Sequence, residues 1–190
     1  MTSPSYAGNP QMARTPCNGG TCTCVFESDL GWMAIRWNEH QVSRLTFGHS
    51  SPRAAVQHLA GDEEPTSVSG PMKALIRRLQ RFAAGKRDDD FLDVCLILAA
   101  MTPFQKAIIE RCRKIPVGET LSYGQLADAA GYPGAARAVG CVMAKNRFPL
   151  IVPCHRVLAS GGRIGGFSAP DGIRMKQRLL APEQRLRRAR

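Results

Sequence analysis

The chain has 190 residues, of which 44% are hydrophobic, and this fraction argues against a disordered protein. No apolar run is long enough to cross a bilayer, which argues against a membrane-spanning protein. The net charge of +11 lies in the second half, because residues 1–100 hold 10 basic and 10 acidic side chains whereas residues 101–190 hold 16 and 5. This asymmetry favours nucleic acid as the partner of the second half over a basic surface that serves only solubility.

Residues 1–24 are rich in Pro, Gly, Ser, Thr and Asn, and we expect them to form a flexible arm. They lack a secretory pattern, so we expect a cytoplasmic protein, nucleoid-associated in a bacterium or nuclear in a eukaryote, with reduced cysteines. Cys17, Cys22 and Cys24 have no standard zinc spacing. We therefore predict unliganded thiols and no metal, with a zinc site as the alternative.

Residues 25–98 predict a small α/β subdomain without chemistry of its own. Alternating residues from Val25 to Phe47 indicate two strands around a turn at Asn38–His40. A short helix is expected over residues 51–59, and a longer amphipathic helix runs from Gly70 towards Gly85. Phe91–Leu98 is predicted as a buried strand.

The second half begins with two helix starts of the same kind. Thr102 with Gln105, and Ser122 with Gln125, each have the spacing of a capping box. Pro133 is expected to start a further helix directly after the second of these. Two short helices joined by a tight turn are typical of a helix-turn-helix.

The second helix of that pair has two unlike faces. Helical spacing predicts a core face of Ala135, Ala138, Val139, Val142 and Met143, and an opposite face of Arg137, Gly140, Cys141 and Ala144. One long cation among small side chains suits close approach to a nucleic-acid backbone. We favour DNA contact over an ordinary solvated face.

The apolar run Leu150–Val152 predicts a buried strand that ends at Pro153. Cys154 follows, beside His155 and Arg156, surroundings that favour the nucleophilic thiolate. A glycine-rich loop, residues 161–168, leads to a last helix around residues 173–180 that ends near Glu183. Residues 185–190 are expected to form a flexible basic tail.

The segment 102–183 resembles the O6-alkylguanine-DNA alkyltransferases, the methylated-DNA–protein-cysteine methyltransferases. The resemblance rests on patches in the same order: Ser122-Tyr123, Ala135-Ala136-Arg137-Ala138-Val139-Gly140, Asn146, Pro153-Cys154-His155-Arg156-Val157, Gly165-Gly166-Phe167-Ser168 and Leu179-Leu180. Three features depart from the family pattern: Phe167 stands where many members have tyrosine, residues 169–172 carry a short insertion, and the N-terminal half matches only loosely.

The resemblance implies a self-inactivating reaction that needs no cofactor. An alkyl group would pass from O6 of guanine, or O4 of thymine, in double-stranded DNA to Cys154. It implies catalytic roles for Cys154, for His155 through a bridging water, for Glu183 as the group orienting His155, for Tyr123 as a proton donor and for Asn146 as a brace.

The resemblance also assigns binding residues and a fold. Substrate-binding residues would be Tyr123, Pro149, Val157, Phe167 and Ser168, and DNA-binding residues Ser122, Ala136, Arg137 and Gly140. Residues 25–98 would form a ribonuclease-H-like α/β subdomain, and residues 101–184 a mostly α, winged-helix-like subdomain with the helix-turn-helix. We expect a monomer with no membrane partner.

Two other functions stay open at this point. A helix-turn-helix or lesion-sensing protein would bind DNA without alkyl transfer, but it gives Cys154 no role. A cysteine hydrolase would use Cys and His, but it usually places them far apart in sequence and gives the basic half no role.

Overall fold

A three-stranded antiparallel sheet in the order β1-β2-β3 forms the centre of the first half. Its strands are β1 (Thr21–Phe26), β2 (Trp32–Asn38) and β3 (Gln41–His49), in a computed structural model that describes residues 20–59, 66, 68 and 70–188. The alternation predicted for β2 and the strand that returns after the turn are confirmed. Residues 21–24, predicted to belong to the arm, instead pair with β2.

Two helices pack against this sheet. In α1 (Pro52–His58) and the residue after it, Ala55 and Leu59 contact Ala34 on one sheet face. The longer α2 (Gly70–Ala83) buries the stripe predicted for it, namely Met72, Leu75, Ile76, Leu79 and Phe82. These side chains join the main hydrophobic core, because their spacing places them on one side of the helix.

The segment Phe91–Leu98 is not a strand, contrary to the prediction. Residues 91–94 form a turn, in which Phe91 has φ of 55° and its carbonyl accepts from the Val94 amide at 3.1 Å. Only Leu96 forms a bridge, to Val42 of β3. The apolar run signalled burial correctly, but a strand also needs a partner along its whole length.

The second half starts with the two capped helices that the sequence predicts. They are α3 (Pro103–Arg113) and α4 (Tyr123–Ala129), and both capping boxes are complete. The next helix, α5 (Ala136–Ala144), begins three residues later than predicted. Pro133 and Gly134 form a turn instead, in which Gly134 has φ of 80°, and Ala135 provides no side-chain cap.

Two short strands and a long helix complete the fold. The strands β4 (Leu121–Ser122) and β5 (Val157–Leu158) pair in parallel. The last helix, α6 (Ile173–Arg188), extends well beyond Glu183 and takes in residues 185–188, which the sequence assigned to a flexible tail. Among the described residues, no helix is both long enough and apolar enough to span a membrane.

Candidate active site

A cavity of about 360 Å³ opens between α5, the start of α4 and the glycine-rich loop. It is lined by Tyr123, Gly140, Met143, Ala144, Cys154, Gly166, Phe167 and Ser168. Its volume lies within the range of about 300–1,000 Å³ that is usual for small-molecule sites. The sulfur of Cys154 therefore faces a space of suitable size next to the helix predicted to contact DNA.

Cys154 sits in a single turn of 3-10 helix, Cys154–Arg156, which follows Pro153. The predicted strand before it is absent, because Leu150 has φ of 72° and Val152 forms only an isolated bridge with Pro149. The amide of Cys154 donates to the Val152 carbonyl at 2.8 Å, which fixes the turn. Only 5% of Cys154 is exposed.

The surroundings of Cys154 do not favour the thiolate in the way that the sequence suggested. Burial raises the pKa of the Cys154 thiol, and a hydrogen bond with Asn146 and the positive charge of Lys176 only partly oppose that rise. His155 and Arg156 both turn towards Glu183 instead. The resting sulfur is thus a thiol, which needs a base to remove its proton.

His155 and Glu183 form a buried acid–base pair. Nε2 of His155 lies 3.1 Å from Oε1 of Glu183, and the two residues are 0% and 1% exposed. Burial opposes the ionisation of Glu183, but hydrogen bonds and charges from His155 and Arg156 outweigh it and lower the pKa to about 2. An ionised carboxylate accepts, so Nε2 carries the proton and Nδ1 is left as an acceptor.

The other ring nitrogen, Nδ1 of His155, is buried and has no hydrogen-bond partner among the described residues. Burial lowers the pKa of His155, and the charges of Arg156 and Arg87 lower it further against the influence of Glu183. The imidazole is therefore neutral at rest. A neutral ring with a free lone pair can accept a proton.

Arg156 has a structural part in this site. Its Nε and one terminal nitrogen each donate to Glu183 at 2.9 Å, and the other terminal nitrogen donates to the Ile115 carbonyl at 2.7 Å. Such a two-pronged contact fixes the carboxylate in orientation as well as position. Arg156 is close to Cys154 in the sequence, but its positive charge thus acts on Glu183.

The cation that faces Cys154 is Lys176, which the sequence reading missed. Its side chain is 1% exposed, and Nζ donates to the Val157 carbonyl at 2.6 Å. The same Nζ lies 6.0 Å from the ring centre of Tyr123 and 5.9 Å from that of Phe167. A signal was available, because Lys176 occupies the buried stripe of α6 with Leu179 and Glu183.

Tyr123 and Phe167 form two walls of the cavity. Burial raises the pKa of Tyr123, and a negative charge on Cys154 would raise it further, so the phenol keeps its proton as a donor. The ring of Phe167 packs edge-on against Phe47 of β3, with the centres 6.3 Å apart. Ser168 borders the cavity beside Phe167.

Asn146 braces the turn that leads to Cys154. Its Nδ2 donates to the Val152 carbonyl at 3.1 Å, and its Oδ1 accepts from the Phe148 amide at 3.0 Å. Pro149 lines a smaller adjoining cavity of about 40 Å³ together with Asn146 and Cys154. Val157 is fully buried and lines neither cavity, so only its carbonyl, already bonded to Lys176, contributes here.

Of the four predicted DNA-binding residues, only Gly140 lines the cavity, and the other three lie on α5 or at the start of α4. Arg137 is exposed on α5, Ala136 is half-buried at the start of the helix, and Gly140 lines the cavity. The hydroxyl of Ser122 accepts from the Gln125 amide as the cap of α4. Ala138, predicted to face the core, is exposed, because the buried side of α5 is centred on Val139 and Met143, with Ala135 and Val142 partly buried beside them.

No metal-ligand cluster lies at this site among the described residues; the one group close enough to hold an ion is Asp89, Asp90 and Asp93, far along the chain. Cys17 falls outside the described residues. Cys22 is disulfide-bonded, which corrects the expectation of a free thiol there, and Cys24 is free.

Comparison with known proteins gives a consistent set of relatives. Residues 103–185 match the family model for the DNA-binding domain of 6-O-methylguanine DNA methyltransferase. A methylated-DNA–protein-cysteine methyltransferase of Shigella flexneri is 38% identical over 164 residues, which cover 86% of this chain and 90% of the relative. The Mycobacterium tuberculosis protein of the same name is 37% identical over 142 residues, covering 72% and 83%.

Solved structures agree with the sequence matches. A crystal structure of Mycobacterium tuberculosis OGT in complex with DNA superposes with a TM-score of 0.70 at 31% identity, covering 86% of this chain and 92% of that one. The mixed α/β architecture is thus shared over most of both chains.

Proposed function

The chain belongs to the methylated-DNA–protein-cysteine methyltransferase family, and from this we propose that it repairs alkylated DNA by taking the alkyl group onto Cys154. The substrate is double-stranded DNA with an alkyl group on O6 of guanine, and we extend the proposal to O4 of thymine. The buried Cys154 at the cavity wall, one residue before a neutral His155 held by Glu183, carries this proposal.

The proposed reaction moves two protons and one alkyl group. His155 Nδ1 takes the Cys154 proton through a bridging water, while Glu183 stabilises the imidazolium that forms. The sulfur then bonds to the alkyl carbon as the bond between that carbon and O6 breaks. Tyr123 gives its proton to a ring nitrogen of the departing guanine and regains one from His155, so the products are neutral guanine and a thioether.

The reaction consumes the protein. A thioether has no good leaving group, so nothing among these side chains regenerates the thiol. Each chain therefore repairs one lesion, and the alkyl group stays on the sulfur. The same stability makes the reaction easy to detect, because the product keeps a permanent mass increase.

Access to a buried sulfur requires the damaged base to leave the duplex, at an expense of a few kcal/mol. We propose that α4 and α5 act as a helix-turn-helix. Ala136 and Gly140 would lie close to the DNA backbone, and Ser122 at the edge of the DNA contact. Arg137 would occupy the space that the base vacates. Pro149, Phe167, Ser168 and the backbone carbonyl of Val157 would hold the extruded base, and Asn146 would keep the Cys154 turn in place.

The finer fold assignments belong to the same proposal. We propose a ribonuclease-H-like class for residues 25–98 and a winged-helix-like class for residues 101–184. The sheet with α1 and α2 supports the first, and the pair α4–α5 beside the small β4–β5 sheet supports the second.

Intact mass spectrometry tests the proposal after mixing the protein with duplex DNA that carries O6-methylguanine. We expect every chain to gain one methyl group on Cys154, and Cys154→Ala to gain none. Cys95→Ala is the matched control, because Cys95 is an exposed thiol that lies outside the cavity and its loss should change nothing. A DNA-binding or lesion-sensing protein without transfer would show no mass change in any variant.

A further inference from the structure

We propose that Arg87, which lies outside the matched family segment 103–185, is a positioning residue for alkyl transfer that holds Glu183 and keeps His155 in its neutral form. The inference rests on the proposed function. It assigns a part in the chemistry to the first half of the chain, for which the sequence predicted none.

Arg87 is buried against the acid–base pair. Its side chain is 2% exposed, and Nε lies 3.5 Å from Oε1 of Glu183. A terminal nitrogen donates to the carbonyl of Phe82 and, at 3.1 Å, to that of Lys86. Nε itself has no hydrogen-bond partner among the described residues, so its main interaction is the charge of Glu183.

The aromatic ring of Phe82 connects Arg87 to His155. The centre of the Arg87 guanidinium lies 3.9 Å from the centre of that ring, close enough for a cation–π contact. The His155 ring approaches the same phenyl edge-on at 6.2 Å. Phe82 is 1% exposed at the end of α2, so the first half provides a rigid backing for the imidazole.

The charge balance around Glu183 explains what Arg87 does. One carboxylate faces two guanidinium groups, Arg156 and Arg87, and Oε1 is shared between both of them and His155. With a neutral imidazole this group already has one excess positive charge. Protonating His155 would add a second in a buried place, which is unfavourable.

Each charged group that faces His155 has a defined effect on it. Burial is the largest cause of the lowered pKa of His155; Glu183 raises that pKa, while Arg156 and Arg87 lower it. Cys154 precedes His155 directly, and the charge of Lys176 acts on Cys154 rather than on the imidazole, while a negative charge on Cys154 would act on the buried thiol of Cys112. Arg156 is fixed by three hydrogen bonds, so Arg87 is the cation that can be removed with least disturbance.

The test follows the rate of alkyl transfer from free O6-benzylguanine as a function of pH, because the free base needs no extrusion from DNA. Transfer should fail at low pH, where His155 is protonated and cannot accept. Arg87→Met removes the charge but keeps a chain over Phe82. We expect the low-pH side of its pH–rate profile, the acid limb, to move to higher pH by roughly half a unit to one unit.

Two variants separate charge from packing. Arg87→Lys keeps the charge and should restore the acid limb of the original protein. Arg78→Met makes the same chemical change at an arginine of α2 whose partners are Asp89 and Asp93, and its limb should not move. If Arg87→Met does not fold, Arg87→Gln carries the same prediction, because its amide can still donate to the Phe82 carbonyl.

The outcomes distinguish this inference from the proposed function. If the original protein gains no alkyl group on Cys154, the proposed function fails. If it reacts and the neutral Arg87 variants react with an unmoved acid limb, only the role of Arg87 is overturned. The same holds if neither neutral variant folds while Arg78→Met does, because Arg87 then serves only stability.

Discussion

Arg156 is near Cys154 in the sequence and Lys176 is near it in space, and these two cations act on different groups. Arg156 is adjacent to the Cys154–His155 pair in the chain, but it binds Glu183. Lys176 is twenty-two positions away from Cys154, yet its charge acts on the sulfur. Burial lowers the pKa of Lys176 itself, while a negative charge on Cys154 would raise it. Lysine and thiolate therefore stabilise each other only once the proton has left the sulfur.

Lys176→Met should slow transfer to Cys154 and make it more dependent on pH. Without the ammonium group the pKa of Cys154 should rise further, so less thiolate forms and the rate near neutral pH should fall about ten-fold. The rate should recover as the pH is raised, because more thiolate then forms. The measurement is the rate of reaction with free O6-benzylguanine across a pH series.

Lys73→Met is the control for that experiment, because Lys73 is an exposed lysine on α2. Its rates should match those of the original protein at every pH. An equal loss of rate by Lys176→Met at all pH values would show that Lys176 only supports the Val157 backbone.

Helix α5 presents small residues around one long cation at the mouth of the cavity. Arg137, Cys141 and Ala144 are exposed, and Gly140 borders the space in front of Cys154. This is the face that an approaching duplex would meet. Two substitutions on it separate the contribution of charge from that of shape.

Arg137→Ala should slow repair of O6-methylguanine in a duplex far more than it slows reaction with free O6-benzylguanine, because only the duplex requires extrusion of a base. Repair in both settings is followed by mass gain on Cys154. Lys145→Ala removes an exposed cation from the other end of α5 and should leave the ratio of the two rates unchanged. Equal slowing of both reactions by Arg137→Ala would remove Arg137 from base extrusion.

Gly140→Ala should stabilise the protein and weaken duplex repair at the same time. An added Cβ meets no atom within 4 Å, and the helix gains up to about 1 kcal/mol from losing a glycine. The extra methyl group would however stand between the helix and the DNA. Urea unfolding measures the first effect and duplex repair the second.

Ala138→Gly makes the reverse change at an exposed position of α5 outside the cavity. It should lose stability and keep its repair rate. If Gly140→Ala repaired duplex DNA as fast as the original protein, close approach at this glycine would not be required.

Local chemistry decided which elements the sequence could predict. The starts of α3 and α4 were correct because a capping box is a signal between residues three apart. Leu150–Val152 and Phe91–Leu98 were wrong because an apolar run reports burial, whereas a strand depends on partners elsewhere in the chain. Cys154 was singled out from its neighbours in the sequence, and the family resemblance supplied the roles of His155 and Glu183. Lys176 and Arg87 reach the site only through the folded chain.

The two halves of the chain form one continuous core. A single cluster of buried side chains runs from the sheet through α2 to α3 and α6. The backbone also crosses between them, since the Leu45 amide donates to the Arg147 carbonyl at 2.8 Å. Arg113 of α3 donates to the carbonyls of Phe91, Leu92 and Val94 at 2.6, 3.0 and 2.9 Å. We expect the protein to unfold in one cooperative transition.

Acid should destabilise that single unit through Glu183. Its pKa falls from an ordinary 4.5 to about 2 on folding, so its charge stabilises the fold above pH 4.5. That stabilisation, on the order of 3 kcal/mol, is lost as the pH falls through about 2. Urea unfolding at a series of pH values should therefore show a steep decline in the free energy of unfolding over this window.

Glu183→Gln should be less stable at neutral pH and should lack that part of the decline. Glu110→Gln, at an exposed carboxylate of α3, should keep it. A decline that persists unchanged in Glu183→Gln would place the acid sensitivity elsewhere in the molecule.

Because Arg87 of the first half contacts Glu183, the half that carries Cys154 would not keep its full activity when joined to a first half that lacks this arginine. A hybrid that joined residues 103–185 to the leading half of a relative would inherit whichever side chain that relative carries in place of Arg87. Hybrids with arginine there would tolerate mild acid as the parent does. Hybrids with an uncharged side chain would work well only in more alkaline buffers, even though every residue of the grafted segment was unchanged.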